Sequence, residues 1–108
     1  TEIAIVTGYK KNNFTFNLKY FENRMWDKTN MVMSLIEANA WLIQSTCIVS
    51  YSDIIYSADA VLRLKTVKED IAITYDKDWL TIWSKRFPNP LSDAETFKIN
   101  TKGMLTEI

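Results

Sequence analysis

Histidine is absent from this chain of 108 residues, and glycine, proline and cysteine are scarce, at two, two and one. Without histidine there is no Ser-His or Cys-His dyad, no histidine metal site and none of the usual general base. Any chemistry must rest on carboxylates, lysine, tyrosine, backbone groups or a hard cation. Phosphoryl and nucleotidyl transfer fits that limit, because positioning and Mg²⁺ carry most of such reactions. A single cysteine excludes an internal disulfide and suits a reducing compartment, so the expected location is the cytoplasm. Cys47 lies in an apolar run and reads as buried filler. No apolar run reaches the length of a membrane span, and no signal-peptide pattern is present. Acidic and basic residues balance at 13 each. They are mixed, with no basic stripe, which argues against nucleic acid as the main partner.

What is present is a folded composition, 47% apolar and 13% aromatic, in a chain long enough for one small domain with a core. Ile3 to Thr7 is a near-continuous apolar run, the pattern of a strand covered on both faces. Gly8 ends it as a turn glycine. A short helical turn is expected near Asn12 to Phe16, and a strand from about Leu18 to Glu22. Asn23 to Lys28 reads as a loop, with Asp27 or Thr29 available to cap the next helix. That helix is expected over Thr29 to Ile43, with Met31, Leu35, Ala38 and Leu42 on one face. Cys47 to Ser52 predicts a second buried strand, Ser57 to Val67 a helix, and Asp70 to Tyr75 a third strand. Asp76 or Asp78 then caps a helix carrying Trp79, Trp83 and Phe87, stopped by Pro88-Asn89-Pro90. Glu95 to Ile99 and Met104 to Ile108 predict a hairpin about a turn in which Gly103 supplies a positive φ.

This alternation predicts an α/β fold. The expectation is three layers, a mainly parallel sheet with helices on both faces, and a C-terminal β-hairpin, all in a single domain over residues 1–108. The chain opens and closes inside strand-like runs, the pattern of a piece of a larger fold.

Asp53 is the first candidate functional residue. It follows Cys47 to Ser52, and the carboxyl end of a strand is where open α/β sheets bind ligands. A carboxylate there suits Mg²⁺, which takes oxygen ligands and shares them with phosphates. The bland alternative is a turn aspartate that bonds its own backbone.

Four stretches together resemble the nucleotidyltransferases that activate sugar phosphates and phosphocholine. They are IVTGYK at Ile5 to Lys10, KTNMVMSL at Lys28 to Leu35, VSYSDIIYS at Val49 to Ser57, and DAETFKI with GMLTEI between Asp93 and Ile108. The resemblance spans nearly the whole chain in order, and implies a partial, Rossmann-like nucleotidyltransferase fold. It implies that Asp53 holds the catalytic Mg²⁺, that Thr29 and Asn30 contact the nucleotide, and that Glu107 lies near the acceptor. Trp79 and Trp83, one helical turn apart, offer a wall for a choline-like cation, with core packing the alternative. The implied partners are a nucleoside triphosphate and a phosphorylated small molecule, with pyrophosphate released. Two departures stand against this. Ser52 occupies a position where many members carry glycine, and no glycine-rich loop bearing Arg and Lys is present to cradle the triphosphate. The chain therefore resembles the middle of the enzyme, and is expected to be inactive by itself. The competing expectation is a non-catalytic module that forms homo-oligomers through uncovered strand edges.

Overall fold

A computed structural model describes residues 2–108. The chain divides into two compact units, Thr1–Ile55 and Tyr56–Ile108.

In the first unit, β1 (Ala4–Thr7) pairs in parallel with β2 (Lys19–Glu22). The register is Ala4 with Lys19 through Thr7 with Glu22. The crossover holds a 3-10 turn at Lys11–Asn13, entered through Lys10 at φ 49°. Two short helices follow the sheet, α1 (Met31–Ile36) and α2 (Asn39–Leu42). The sequence predicts one continuous helix over Thr29 to Ile43, but the chain breaks it in two. Glu37 and Ala38 donate to the carbonyls of Ser34 and Leu35, three residues back rather than four. This tightening ends α1, and Ala38 restarts the helix at φ −90°, ψ 10°. The re-aimed α2 places Trp41 edge-on against Phe21 of β2, with ring centroids 5.8 Å apart. Edge-to-face aromatic pairs of this kind are favourable contacts.

The second unit contains α3 (Ala58–Leu64), α4 (Trp79–Arg86) and a hairpin of β3 (Lys98–Ile99) with β4 (Leu105–Glu107). The hairpin is antiparallel, with a register shift between Lys98 and Ile99. Its turn follows from two residues. Gly103 takes φ 76°, and the Asn100 side chain accepts from the backbone N–H groups of Lys102 and Met104. Asp78 precedes α4 as expected, although its side chain makes no capping bond. Ser57 likewise precedes α3 without a side-chain cap.

The expected mixture of helix and strand is present, with one parallel pair and one antiparallel hairpin. The sheet differs from expectation: Cys47 to Ser52 and Asp70 to Tyr75 form no strand. An apolar strand is stable when both faces are covered and its backbone is paired. Val49 and Ile71 are instead exposed at 59% and 84%, so neither condition holds for them. Cys47 is exposed as well, which corrects its reading as buried filler.

Candidate functional site

The most buried side chains of the first unit include two polar ones, Thr7 at 5% and Asn23 at 3% exposure. Thr7 ends β1, and Asn23 follows the last residue of β2. They are therefore neighbours at the carboxyl ends of a parallel pair, the side on which open α/β sheets bind ligands. Burying polar groups there costs free energy unless each finds a partner. Each does. The Thr7 hydroxyl donates to the Phe21 carbonyl at 3.1 Å, and the Asn23 N–H donates to the Thr7 carbonyl at 2.8 Å.

The Asn23 side chain binds the loop beyond it. Its Oδ1 accepts from Met25 N–H at 2.9 Å. Its Nδ2 donates to Thr29 Oγ1 at 2.8 Å and to Ser34 Oγ at 3.0 Å. Thr29 Oγ1 in turn donates to the Met25 carbonyl at 2.8 Å. One side chain thus ties the strand end, the loop and α1 together. A second clamp is apolar. Trp26 lies against Gly8 so closely that an added Cβ would meet Trp26 Cβ at 2.5 Å. Gly8 has no positive φ, so its reason is this close approach rather than turn geometry. Tyr9 completes the contact, its ring 5.1 Å from that of Trp26.

The loop walls an open cleft of about 260 Å³, lined by Glu22, Asn23, Arg24, Met25, Thr29, Met33 and Glu37. Lys11 donates to Glu22 at 2.7 Å, and Arg24 approaches the same oxygen at 3.6 Å. The hydrogen bond from Lys11 holds the Glu22 carboxyl below its ordinary 4.5, with the charges of Lys11 and Arg24 acting in the same direction. The cleft therefore presents carboxylate and hydroxyl oxygens as acceptors, with Arg24 as a charged donor.

Thr29 lines this cleft. Asn30 caps α1, its Oδ1 accepting from Met33 N–H at 3.1 Å; the cap is neither Asp27 nor Thr29. Asp53 is exposed in a bend and outside the cleft lining. Its stretch is nevertheless joined to the loop's exit, since the Tyr51 hydroxyl donates to Met31 Sδ. Among the described residues no three acidic or thiol side chains gather into a metal centre. One exposed carboxylate fits Mg²⁺ only as a single ligand beside phosphate oxygens. Trp79 opens α4 and is half-buried. Trp83 is committed elsewhere, donating from Nε1 to Asp93 at 3.0 Å with Arg86 over its ring. Glu107 pairs with Lys98 at 2.7 Å across the hairpin. Among the described residues no hydrogen bond, ion pair or ring contact joins Trp79 to Glu107. Asn23 and Arg24 were not singled out in the sequence, and Gly8 was expected first as a turn glycine and only secondarily as a ligand neighbour. The one available signal was an asparagine immediately after a strand, with hydroxyl residues six and eleven positions on.

The parallel pair carries its polar junction and cleft at the carboxyl ends, the side on which open α/β sheets bind ligands. The chain is 41% identical, over 118 aligned positions, to a CTP:phosphoglutamine cytidylyltransferase of Campylobacter jejuni subsp. jejuni serotype O:2. The alignment covers 99% of this chain and 46% of that protein, so the chain spans about half the length of this curated relative. The similarity agrees with the resemblance to nucleotidyltransferases. No family model matches the chain, and no solved structure does. No helix among the described residues is long and apolar enough to cross a membrane.

Proposed function

We propose that this chain forms the nucleotide-recognising part of a cytidylyltransferase, acting on CTP and a phosphorylated small molecule. The observation that carries the reading is the 41% identity maintained along 99% of the chain to a protein of that activity. In the reaction an acceptor phosphate oxygen attacks the α-phosphorus of CTP. The new P–O bond forms as the bond to the β-phosphate bridging oxygen breaks, and pyrophosphate leaves. The cleft with Thr29 receives the base or sugar end of the nucleotide. Asp53 would hold the Mg²⁺ that arrives on the triphosphate, where the cation neutralises phosphate charge. The contact of Tyr51 with Met31 supports this arrangement by joining the acid's stretch to the nucleotide loop. Trp79 and Glu107 would serve the phosphorylated acceptor. The 108 residues alone are inactive, because backbone and Lys/Arg contacts to the triphosphate supply much of the stabilisation in such reactions.

Pyrophosphate release tests the proposal. The full protein, given CTP, Mg²⁺ and phosphoglutamine or another phosphorylated acceptor, is expected to turn over. The isolated 108 residues are expected to release none. Absence of turnover by the full protein across a panel of phosphorylated acceptors would sink the enzymatic reading. One observation favours a second reading, a homo-oligomeric module without catalysis. Ile55 and Ile71 are exposed at 102% and 84%, and uncovered apolar surface favours association. Sedimentation equilibrium separates the two: a folded monomer at micromolar concentration would remove the second.

A further inference from the structure

We infer that Asn23 is a positioning residue for the cleft. It fixes the loop that carries Thr29 and commits the Thr29 hydroxyl to face a ligand as an acceptor. The inference rests on the proposed nucleotide site. The direction of every bond in the network follows from one fixed donor. Met25 contributes a backbone N–H, so the Asn23 atom it meets at 2.9 Å must be oxygen. The other branch of the amide is then the NH₂ group, and the two hydroxyl oxygens it reaches, Thr29 Oγ1 and Ser34 Oγ, must accept. A hydroxyl has one proton to give. Thr29 gives its proton to the Met25 carbonyl at 2.8 Å. What Thr29 can still offer the cleft is a lone pair.

That residual polarity matters for what the cleft admits. Arg24 is the charged donor of the same lining, but its guanidinium is drawn toward Glu22 at 3.6 Å. With the carboxylates of Glu22 and Glu37 beside Thr29, the lining favours a ligand edge that donates. Cytosine presents an N4 amino donor where uracil presents an O4 acceptor. Sites built to meet a donor reject the analogue lacking it, because their own polar groups are left unpaired. The cleft's lining is thus suited to the cytosine edge, and Asn23 maintains that suitability by holding Thr29 in place.

Limited trypsin digestion of the full protein, paired with nucleotide competition, tests the inference. Arg24 and Lys28 are cleavage sites inside the loop, and Arg24 is well exposed, so loop opening rather than side-chain access sets the rate. In Asn23→Ala, cleavage after Arg24 and Lys28 is expected to accelerate on the order of tenfold, the scale set by losing buried hydrogen bonds. Cleavage after Lys65 and Lys85 should not change. Ser34→Ala, which removes one acceptor outside the cleft, should give a smaller acceleration at the same two bonds and guards against a misfolded Asn23 variant. In competition, the wild type should prefer CTP over UTP by about tenfold or more, and Asn23→Ala should lose most of that preference. Unchanged loop cleavage in both variants, or equal acceleration at all four bonds, overturns the positioning role. A retained CTP preference in Asn23→Ala overturns it as well. If the wild type binds neither nucleotide, the proposed function fails, while the digestion still decides whether Asn23 locks the loop.

Discussion

The two units are held together by different kinds of contact. In Thr1–Ile55 side-chain bonds tie the strands, the 3-10 turn and α1 together: Thr7 to Phe21, Lys11 to Glu22, Asn23 to Ser34. Its interior includes Thr7, Asn23 and Ala38. In Tyr56–Ile108 no residue is buried, and the polar contacts are exposed ones. Asp59 meets Arg63 one helical turn away at 2.6 Å, Lys98 meets Glu107 within the hairpin, and Trp83 meets Asp93. Buried, fully satisfied polar networks specify one geometry, whereas exposed ion pairs contribute little. The difference teaches where a binding geometry can be held in place. The cleft sits on the unit whose conformation is fixed by a buried polar node.

The contrast can be broken most severely at that node. Asn23→Leu keeps the branched shape, with somewhat greater bulk, but strips Met25 N–H, Thr29 and Ser34 of their amide partner. A loss of about 3 kcal/mol is expected, from buried groups left unpaired. Denaturant unfolding followed by probes in each unit measures it. A loss below about 1 kcal/mol would show that the buried network does not hold the unit. Next comes Gly8→Ala. The added Cβ meets Trp26 at its own Cβ and Cγ, atoms that no terminal rotation removes, so overpacking should cost about 1–3 kcal/mol. The same unfolding measurement, with Trp26 mobility followed by NMR, checks it.

Much smaller effects are expected in the second unit. Lys98→Met removes an ion pair whose side chains are both more than half exposed, and its effect should stay within about 1 kcal/mol and shrink with added salt. A large, salt-insensitive loss would erase the distinction between the units.

The mildest test uses pH. The folded-state pKa of Glu22 lies below its ordinary 4.5. Its contribution is therefore present above pH 4.5 and lost as pH falls through the lowered value. Lys11→Met removes the hydrogen bond that is the largest cause of the shift. The variant should show a flatter fall of stability below that pH, measured by unfolding at a series of acidic pH values. An unchanged profile would mean that the pair contributes nothing to acid sensitivity.

These outcomes bear on how far the residues alone disclosed the molecule. β1, β2, α3, α4 and the hairpin were legible because periodicity, turn glycine and proline stops act locally. The break after Glu37 was not, because it is set by tighter local bonds and by Trp41 reaching Phe21, a contact with no signature in the helical pattern. Cys47 to Ser52 and Asp70 to Tyr75 have the composition of buried strands, yet composition cannot supply the neighbours such strands need. Thr29, singled out through the family resemblance, lines the cleft. The roles of Asn23 and Gly8 were not legible, since an asparagine after a strand and a glycine after another are ordinary turn residues until the chain brings Ser34 and Trp26 onto them.

Titration calorimetry of CTP, UTP, ATP and GTP in the presence of Mg²⁺ tests the central claim most directly, with the full wild-type protein, Thr29→Val and Asp53→Asn. The account predicts that CTP binds most tightly. Thr29→Val should weaken CTP several-fold, about the worth of one hydrogen bond. Asp53→Asn should weaken only the Mg²⁺-dependent part of binding and leave folding intact. Equal binding of all four triphosphates, or CTP affinity indifferent to both substitutions, would contradict it.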